Sequence, residues 1–340
     1  MNRVLVKHVL WIGLVQLALM AAVEVAPALA ADKVKMSLAA TDDVVYLPFF
    51  IAIDKGYYRQ LDLDVEIVNL GGGIATPALL SERLDFSTST ASATSAILSG
   101  AKLKIVMTLS ESVPWKLWSA RPDIKTLHDL KGKAVGVQGR GDLFELSMRA
   151  VLMKAGLPED FVAYVPLGFG NAQRLGVIQS GSLPAVLLTT FEEKIARERG
   201  ALGHGRVLID ISKEIPIPNN GLATSDKLLQ GAPSVVERVA RGTLMGLRYM
   251  KAQREAALRI FAKRVPDVSL DVLRESIDET AAVVLENGTA SLSTQTAEIA
   301  LRSSMMGQSQ QLLPPGRVFD YSAVMQAAEH LTATKWMPTE

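Results

Sequence analysis

Arg140 lies in the turn Gln138-Gly139-Arg140-Gly141-Asp142, between a stretch that reads as a strand and one that reads as a helix. A guanidinium there would grip a carboxylate or sulfonate through two parallel N–H bonds. The run Thr88-Ser89-Thr90 sets hydroxyls beside the unpaired amides of a helix start, an arrangement that favours an anionic or carbonyl-bearing guest. Tyr46, Trp115 and Phe169 are rings on which a flat guest would stack. Gly71-Gly72-Gly73 after a strand lets backbone approach a ligand closely. Asp42 and Asp43 could form an acid pair, but nothing else in the chain completes a catalytic set. One of them is expected to cap the following helix or to bond a ligand hydroxyl or N–H.

Reactive chemistry finds little support. The chain has no cysteine, so it holds no disulfide scaffold, thiol nucleophile or Cys-ligated metal. His128, His204 and His330 are scattered, and no Ser or Thr pairs with a base in a readable way. No His/Asp/Glu set has metal-ligand spacing. The phosphate-loop and dinucleotide glycine patterns are both absent. The expectation is a binding protein with no cofactor and no metal, and not an enzyme.

The amino terminus reads as an export signal. Arg3 and Lys7 precede the apolar run Val9–Ala22, and Ala28-Leu29-Ala30 supplies small residues at cleavage spacing. Residues 1–30 are assigned to this signal, with cleavage near Ala30 or Ala31. Without Arg3, Lys7 and Glu24, 36 − 2 = 34 basic and 35 − 1 = 34 acidic residues remain. That balance offers no footprint for nucleic acid or an anionic membrane. With no cysteine for a lipid anchor, a free soluble protein is expected.

Roughly three hundred mature residues exceed what one core usually supports, so two domains are expected. Lys35–Val68 reads strand, polar turn, apolar helix, Gly-Tyr-Tyr stop and second strand. In such a parallel unit the loop after the first strand opens at the sheet's carboxyl edge, where open α/β folds collect ligands. Strand, glycine-rich turn and helix recur at 133–155. Residues 216–224 read as a polar crossing back. From Ala232 onward the texture is helical, with Val236, Val239, Ala240, Leu244, Leu247 and Met250 at helix spacing in a run read as Pro233–Lys263. These runs read as packing surface. The organisation expected is a first lobe over 31–115, a second over 116–221, and a mostly helical return to the first over 222–340. A hinged cleft between them would hold the ligand.

Several segments resemble a known family. Pro48-Phe49-Phe50-Ile51-Ala52, Lys55-Gly56-Tyr57-Tyr58 and Leu61–Val65 are similar to the start of the periplasmic solute-binding proteins for nitrate, sulfonates, taurine and thiamine pyrimidines. Leu84-Asp85-Phe86, Leu127 with Leu130-Lys131-Gly132-Lys133-Ala134-Val135-Gly136-Val137, and Val318-Phe319-Asp320-Tyr321-Ser322 continue the likeness in order. The resemblance implies an α/β fold of the type II periplasmic binding protein class, with two lobes that close on a ligand and hand it to an ABC permease and ATPase. It implies a monomer in the periplasm. Carried onto this chain, the family's site loops fall on Asp43 and Tyr46, Gly72 and Gly73, Ser89 and Thr90, Gln138, Gly139 and Arg140, Phe169, Thr190 and Asn220. Trp115 joins them from the residue reading.

One departure bears on the ligand. Where many relatives carry an acidic residue after the last strand of the second lobe, this chain has Thr189-Thr190-Phe191. That argues against an amine such as taurine, unless Asp42, Asp43 or Glu111 compensates. The ligand expected is a small organic anion, a carboxylate or sulfonate, with an aromatic one included. The alternatives are a periplasmic sensor subunit, a pyrimidine-binding protein and an enzyme resembling the pyrimidine synthases.

Overall fold

The computed structural model describes residues 31–168, 170–215, 217–308 and 312–339. The export signal read at 1–30 and the site residue Phe169 lie outside the described residues. Two five-stranded sheets organise the chain. The first runs in the order β2 (Leu63–Asn69), β1 (Asp32–Leu38), β3 (Phe86–Ser87), β10 (Asn219–Ser225), β4 (Leu103–Ser110). The second runs β7 (Ala163–Pro166), β6 (Ala134–Val137), β8 (Ala185–Thr189), β5 (Trp115–Ser119), β9 (Arg206–Asp210).

The two sheets have one topology. In each, the second strand pairs in parallel with the first and the first with the third. An antiparallel strand then separates the third from the fourth. That antiparallel strand is where the chain crosses: β5 enters the second sheet after β4, and β10 returns to the first after β9. Trp115 pairs with Thr189 in the second sheet, and Asn219 pairs with Ser110 in the first. Two lobes joined by two crossings follow directly.

Residues 216–224 read as a polar crossing back, and each of the two crossings contains a strand inside a sheet. Asn219-Asn220-Gly221 is polar because its side chains face the space between the lobes, not because it is loop. Gly221 has φ 155°, and a Cβ there would fall 1.9 Å from the Met107 carbonyl oxygen. Only glycine lets β10 lie this close to β4.

Helix Pro233–Ala252 matches its periodicity: Val236, Val239, Ala240, Leu244, Leu247 and Met250 are all buried. It packs on helix Leu47–Asp54, which follows the first site loop. Gly246 sits at the crossing, where an added Cβ would stand 2.0 Å from the Pro48 carbonyl oxygen. The run read as one helix to Lys263 breaks at Gln253, which adopts φ −120°, ψ 59°. The break turns Arg254–Ala262 to pack on helix Leu270–Val283, and the Arg254 guanidinium donates to the Ile277 carbonyl at 3.1 Å.

The largest apolar core runs between the lobes without a gap. It joins these helices to Trp118, Leu188, Phe191 and Ile195 of the second lobe. Phe191 and Phe261 meet with ring centroids 5.6 Å apart. No described helix is long and apolar enough to cross a membrane.

Candidate functional site

The carboxyl ends of β1, β3, β4, β6 and β8 and the first residues of β5 and β10 surround one cavity of about 240 Å³. Both lobes wall it. From the first come Ala39, Asp43, Tyr46, Gly72 and the run Thr88–Ser92. From the second come Trp115, Gln138, Asp142, Phe144, Thr190 and Phe191, and Asn219 and Asn220 close the hinge side. Helix Leu270–Val283 adds Glu279, Thr280 and Val283. Among the described residues, no Lys, Arg or His lines this cavity.

The rings are arranged as a stack. Trp115 and Phe144 lie with centroids 4.0 Å apart and planes inclined by 22°. The Arg174 guanidinium sits 5.4 Å from the Phe144 ring. Arg174 is 1 % exposed and bonds Glu192, 0 % exposed, through Nε at 2.7 Å. Its Nη1 donates to the Gly168 carbonyl at 2.7 Å. Glu192 in turn accepts from the Thr189 amide at 2.8 Å, completing a capping box that sets Thr190 and Phe191 at the wall. A cation buried behind the aromatic wall thus ties three segments of the second lobe together.

The hydroxyl run serves first as a staple. Thr88 Oγ1 accepts from the Ala39 amide at 3.1 Å, and Ser89 Oγ accepts from the Gly72 amide at 3.0 Å. The three loops of the first lobe are thereby held to one another. Tyr46 donates to Asn220 Oδ1 at 3.0 Å, so the first loop reaches the hinge. Asn220 holds φ 52°, a left-handed conformation that asparagine tolerates better than most residues and that often marks functional sites. Between the lobes, the Asn171 amide donates to Asp42 Oδ2 at 3.1 Å and its side chain to the Asp42 carbonyl at 2.9 Å. Lys194 pairs with Glu279 at 2.8 Å and Glu275 at 3.0 Å on the other rim.

A family model described as NMT1/THI5 like matches residues 24–257, more than half of the chain. The chain belongs to the NMT1/THI5-like family. A riboflavin-binding protein, RibY, of Chloroflexus aurantiacus is 24 % identical over 260 residues, 72 % of each chain. Among solved structures, a protein of Bordetella bronchiseptica RB50 superimposes with TM-score 0.76 at 19 % identity, over 88 % of this chain and 98 % of that one. The alkanesulfonate-binding protein SsuA of Xanthomonas axonopodis pv. citri, bound to MOPS, gives 0.69 at 15 % identity, over 84 % and 98 %. The likeness read from the sequence and the family match agree. The fold of this NMT1/THI5-like protein is that of the two-lobed periplasmic binding proteins.

Of the residues singled out in sequence, Asp43, Tyr46, Gly72, Ser89, Thr90, Trp115, Gln138, Thr190 and Asn220 line the cavity. Gly73, Gly139 and Arg140 do not. Arg140 is exposed, and its backbone carbonyl lies 3.7 Å from where a Cβ of Gly73 would stand. Gly73 and Arg140 thus face each other, while Gly72 and Gln138 of the same two loops line the cavity. Asp42 is engaged by Asn171, and Glu111 takes the Ser291 amide at 2.5 Å. Phe144, Asp142 and Glu279 line the cavity without having been singled out. An aromatic residue in the first turn after a glycine-rich loop was the available sign for Phe144.

Burial dominates the acids here. It pushes the Asp43 carboxyl from 3.8 up to about 7, against the Val45 amide that bonds its Oδ1 at 3.1 Å. It pushes Asp142 likewise to about 7, while the Glu145 and Gly139 amides pull it down. Of those two amides, Glu145 bonds Asp142, to Oδ1 at 3.0 Å. The Tyr46 phenol is raised as well, by burial first and by the charge of Asp43 next.

The folded protein therefore keeps protons on Asp43 and Asp142 between about pH 4 and 7, where the unfolded chain has released them. Stability falls as pH rises through that window. The empty protein is expected to unfold several degrees higher at pH 5.5 than at pH 8, with Asp43→Asn removing part of the slope. Acids held below their ordinary value by partners, such as Glu286 beside Lys251, give a slope of the opposite sign. A melting temperature that climbs from pH 5.5 to 8 contradicts the assignment.

Proposed function

We propose that this protein is the periplasmic solute-binding component of an ABC importer and that it captures a small, planar, uncharged solute between its lobes. The carrying observation is the lining of the cavity: a stacked Trp115–Phe144 pair, amides and hydroxyls, and no Lys, Arg or His among the described residues. A desolvated anion without a cationic partner is costly, whereas a flat neutral ring gains stacking and apolar contact. The name of RibY, a riboflavin-binding protein, supports a ring compound of this kind. Among the described residues, the Ser and Thr hydroxyls of the lining have no His or Lys beside them in the cavity, which supports a receptor over an enzyme.

A second reading, a small anion, draws on helices Gly72–Leu80 and Thr90–Leu98, whose N-termini begin at the wall. Thermal shift and calorimetry on the mature chain separate the two. The panel is riboflavin, lumichrome, uracil, nitrate, an alkanesulfonate and benzoate. The uncharged rings are expected to raise the melting temperature, and Trp115→Ala to weaken the best of them roughly five- to tenfold. Stabilisation by nitrate, the sulfonate or benzoate alone overturns the uncharged reading in favour of the anion.

A further inference from the structure

Asp43 differs from the other acids of the cavity wall in having an oxygen to offer. It opens the short 3-10 turn Val44–Tyr46, and its Oδ1 accepts from the Val45 amide at 3.1 Å. Its Oδ2 has no hydrogen bond among the described residues, yet it is not sealed from solvent as the unpartnered oxygen of Asp142 is. Asp43 is partly exposed, and it lines the cavity. A guest can therefore touch Oδ2. Glu279, the third acid of the lining, is already engaged by Lys194 at 2.8 Å.

The groups around Asp43 favour its neutral form. Arg174, on helix Asn171–Ser180, pulls toward the carboxylate but is bonded to Glu192. Glu192, on helix Thr190–Glu198, and Asp42, beside it in the loop, both oppose a charge there. Across the cavity stand two further acids, Asp142 and Glu279, and Lys194 is divided between Glu279 and Glu275. Tyr46 gives its hydroxyl to Asn220, so it does not solvate a carboxylate at Asp43. Desolvated and without a cation of its own, the Asp43 carboxyl holds its proton up to about pH 7. A carboxyl in that state is a hydrogen-bond donor, which a carboxylate is not.

We propose that Asp43 is a specificity-determining residue whose neutral carboxyl donates Oδ2–H to a carbonyl oxygen of the bound ring. It selects carbonyl-bearing rings, and it ties their capture to pH. The inference rests on the uncharged-ring reading above and adds which group on the ring is read. Above pH 7 the proton leaves, and two acceptors, carboxylate and carbonyl, then face each other. Affinity follows the protonated fraction of Asp43 and falls as pH rises.

The test is calorimetry on the purified protein with riboflavin and with uracil at pH 5.5 and pH 8, a range over which both rings stay neutral. Wild type is expected to bind each about tenfold more weakly at pH 8, as linkage to one proton lost near pH 7 requires. Asp43→Asn keeps the N-cap oxygen and replaces the O–H with an N–H that does not titrate. At pH 5.5 it is expected to bind about threefold more weakly than wild type, through a less well placed neutral hydrogen bond. Its affinity at pH 8 is expected to equal that at pH 5.5, whereas a merely structural role for Asp43 would leave the wild-type slope in place. Melting temperatures at both pH values verify that each protein is folded. An affinity in wild type that is flat or rises with pH, or a slope that Asp43→Asn retains, overturns the inference and leaves the ring reading standing. Failure of both rings to bind at either pH overturns the ring reading and the inference together.

Discussion

Arg174→Met is expected to destabilise the protein by about 3–5 kcal/mol, because it strands Glu192 as a buried, uncompensated charge. Both side chains are essentially inaccessible, and Glu192 would keep only the Thr189 amide. The Gly168 carbonyl loses its donor in the same stroke, and Phe144 loses the cation beside its ring. The cavity wall is built on these contacts, so ligand affinity is expected to fall with stability. The double variant Arg174→Met/Glu192→Gln removes both charges and leaves a glutamine that can still serve the capping box. Chemical denaturation is expected to show that it recovers most of the lost stability. A double variant no more stable than Arg174→Met would show that the pair is not what the single change breaks.

Gly246→Ala carries the second large effect. Its methyl would fall 2.0 Å from the Pro48 oxygen and 3.2 Å from the Ala52 nitrogen, both backbone atoms of a packed helix. A side chain could rotate away, but these atoms cannot, so the two helices must separate. The expected cost is about 3 kcal/mol, at the upper end for overpacking. Helix Leu47–Asp54 continues directly from Tyr46, so the separation also displaces the first wall of the cavity. Gly176→Ala is the control. It lies exposed in helix Asn171–Ser180 with nothing within 4 Å of the added methyl. There alanine is expected to stabilise by roughly 0.5–1 kcal/mol through helix propensity. Equal melting temperatures for the two variants would refute the close-packing account.

The sequence carried the loops well and the directions of side chains poorly. Strand ends are legible because apolar runs stop at Thr41, Gly71, Thr88 and Gln138, and parallel sheets gather those stops on one edge. The long helix from Pro233 is legible because burial repeats with the helical period. Arg140 was misleading for a geometric reason: within a tight turn one residue's shift sends a side chain out to solvent, and only its carbonyl faces Gly73. Arg174 was invisible because a single arginine in a polar helix looks like surface until its carboxylate partner, eighteen residues on, is known to be buried. Glu279 and Thr280 reach the cavity from a helix distant in sequence, and nothing local distinguishes them from packing positions.

The central claim is that an uncharged, planar solute occupies the cavity between the lobes. Native mass spectrometry of the gently purified protein, with the released ligand identified by fragmentation, tests it most directly. One bound molecule per chain is expected, a neutral ring compound, and its loss in Trp115→Ala. A bound nitrate, sulfonate or carboxylate would contradict it.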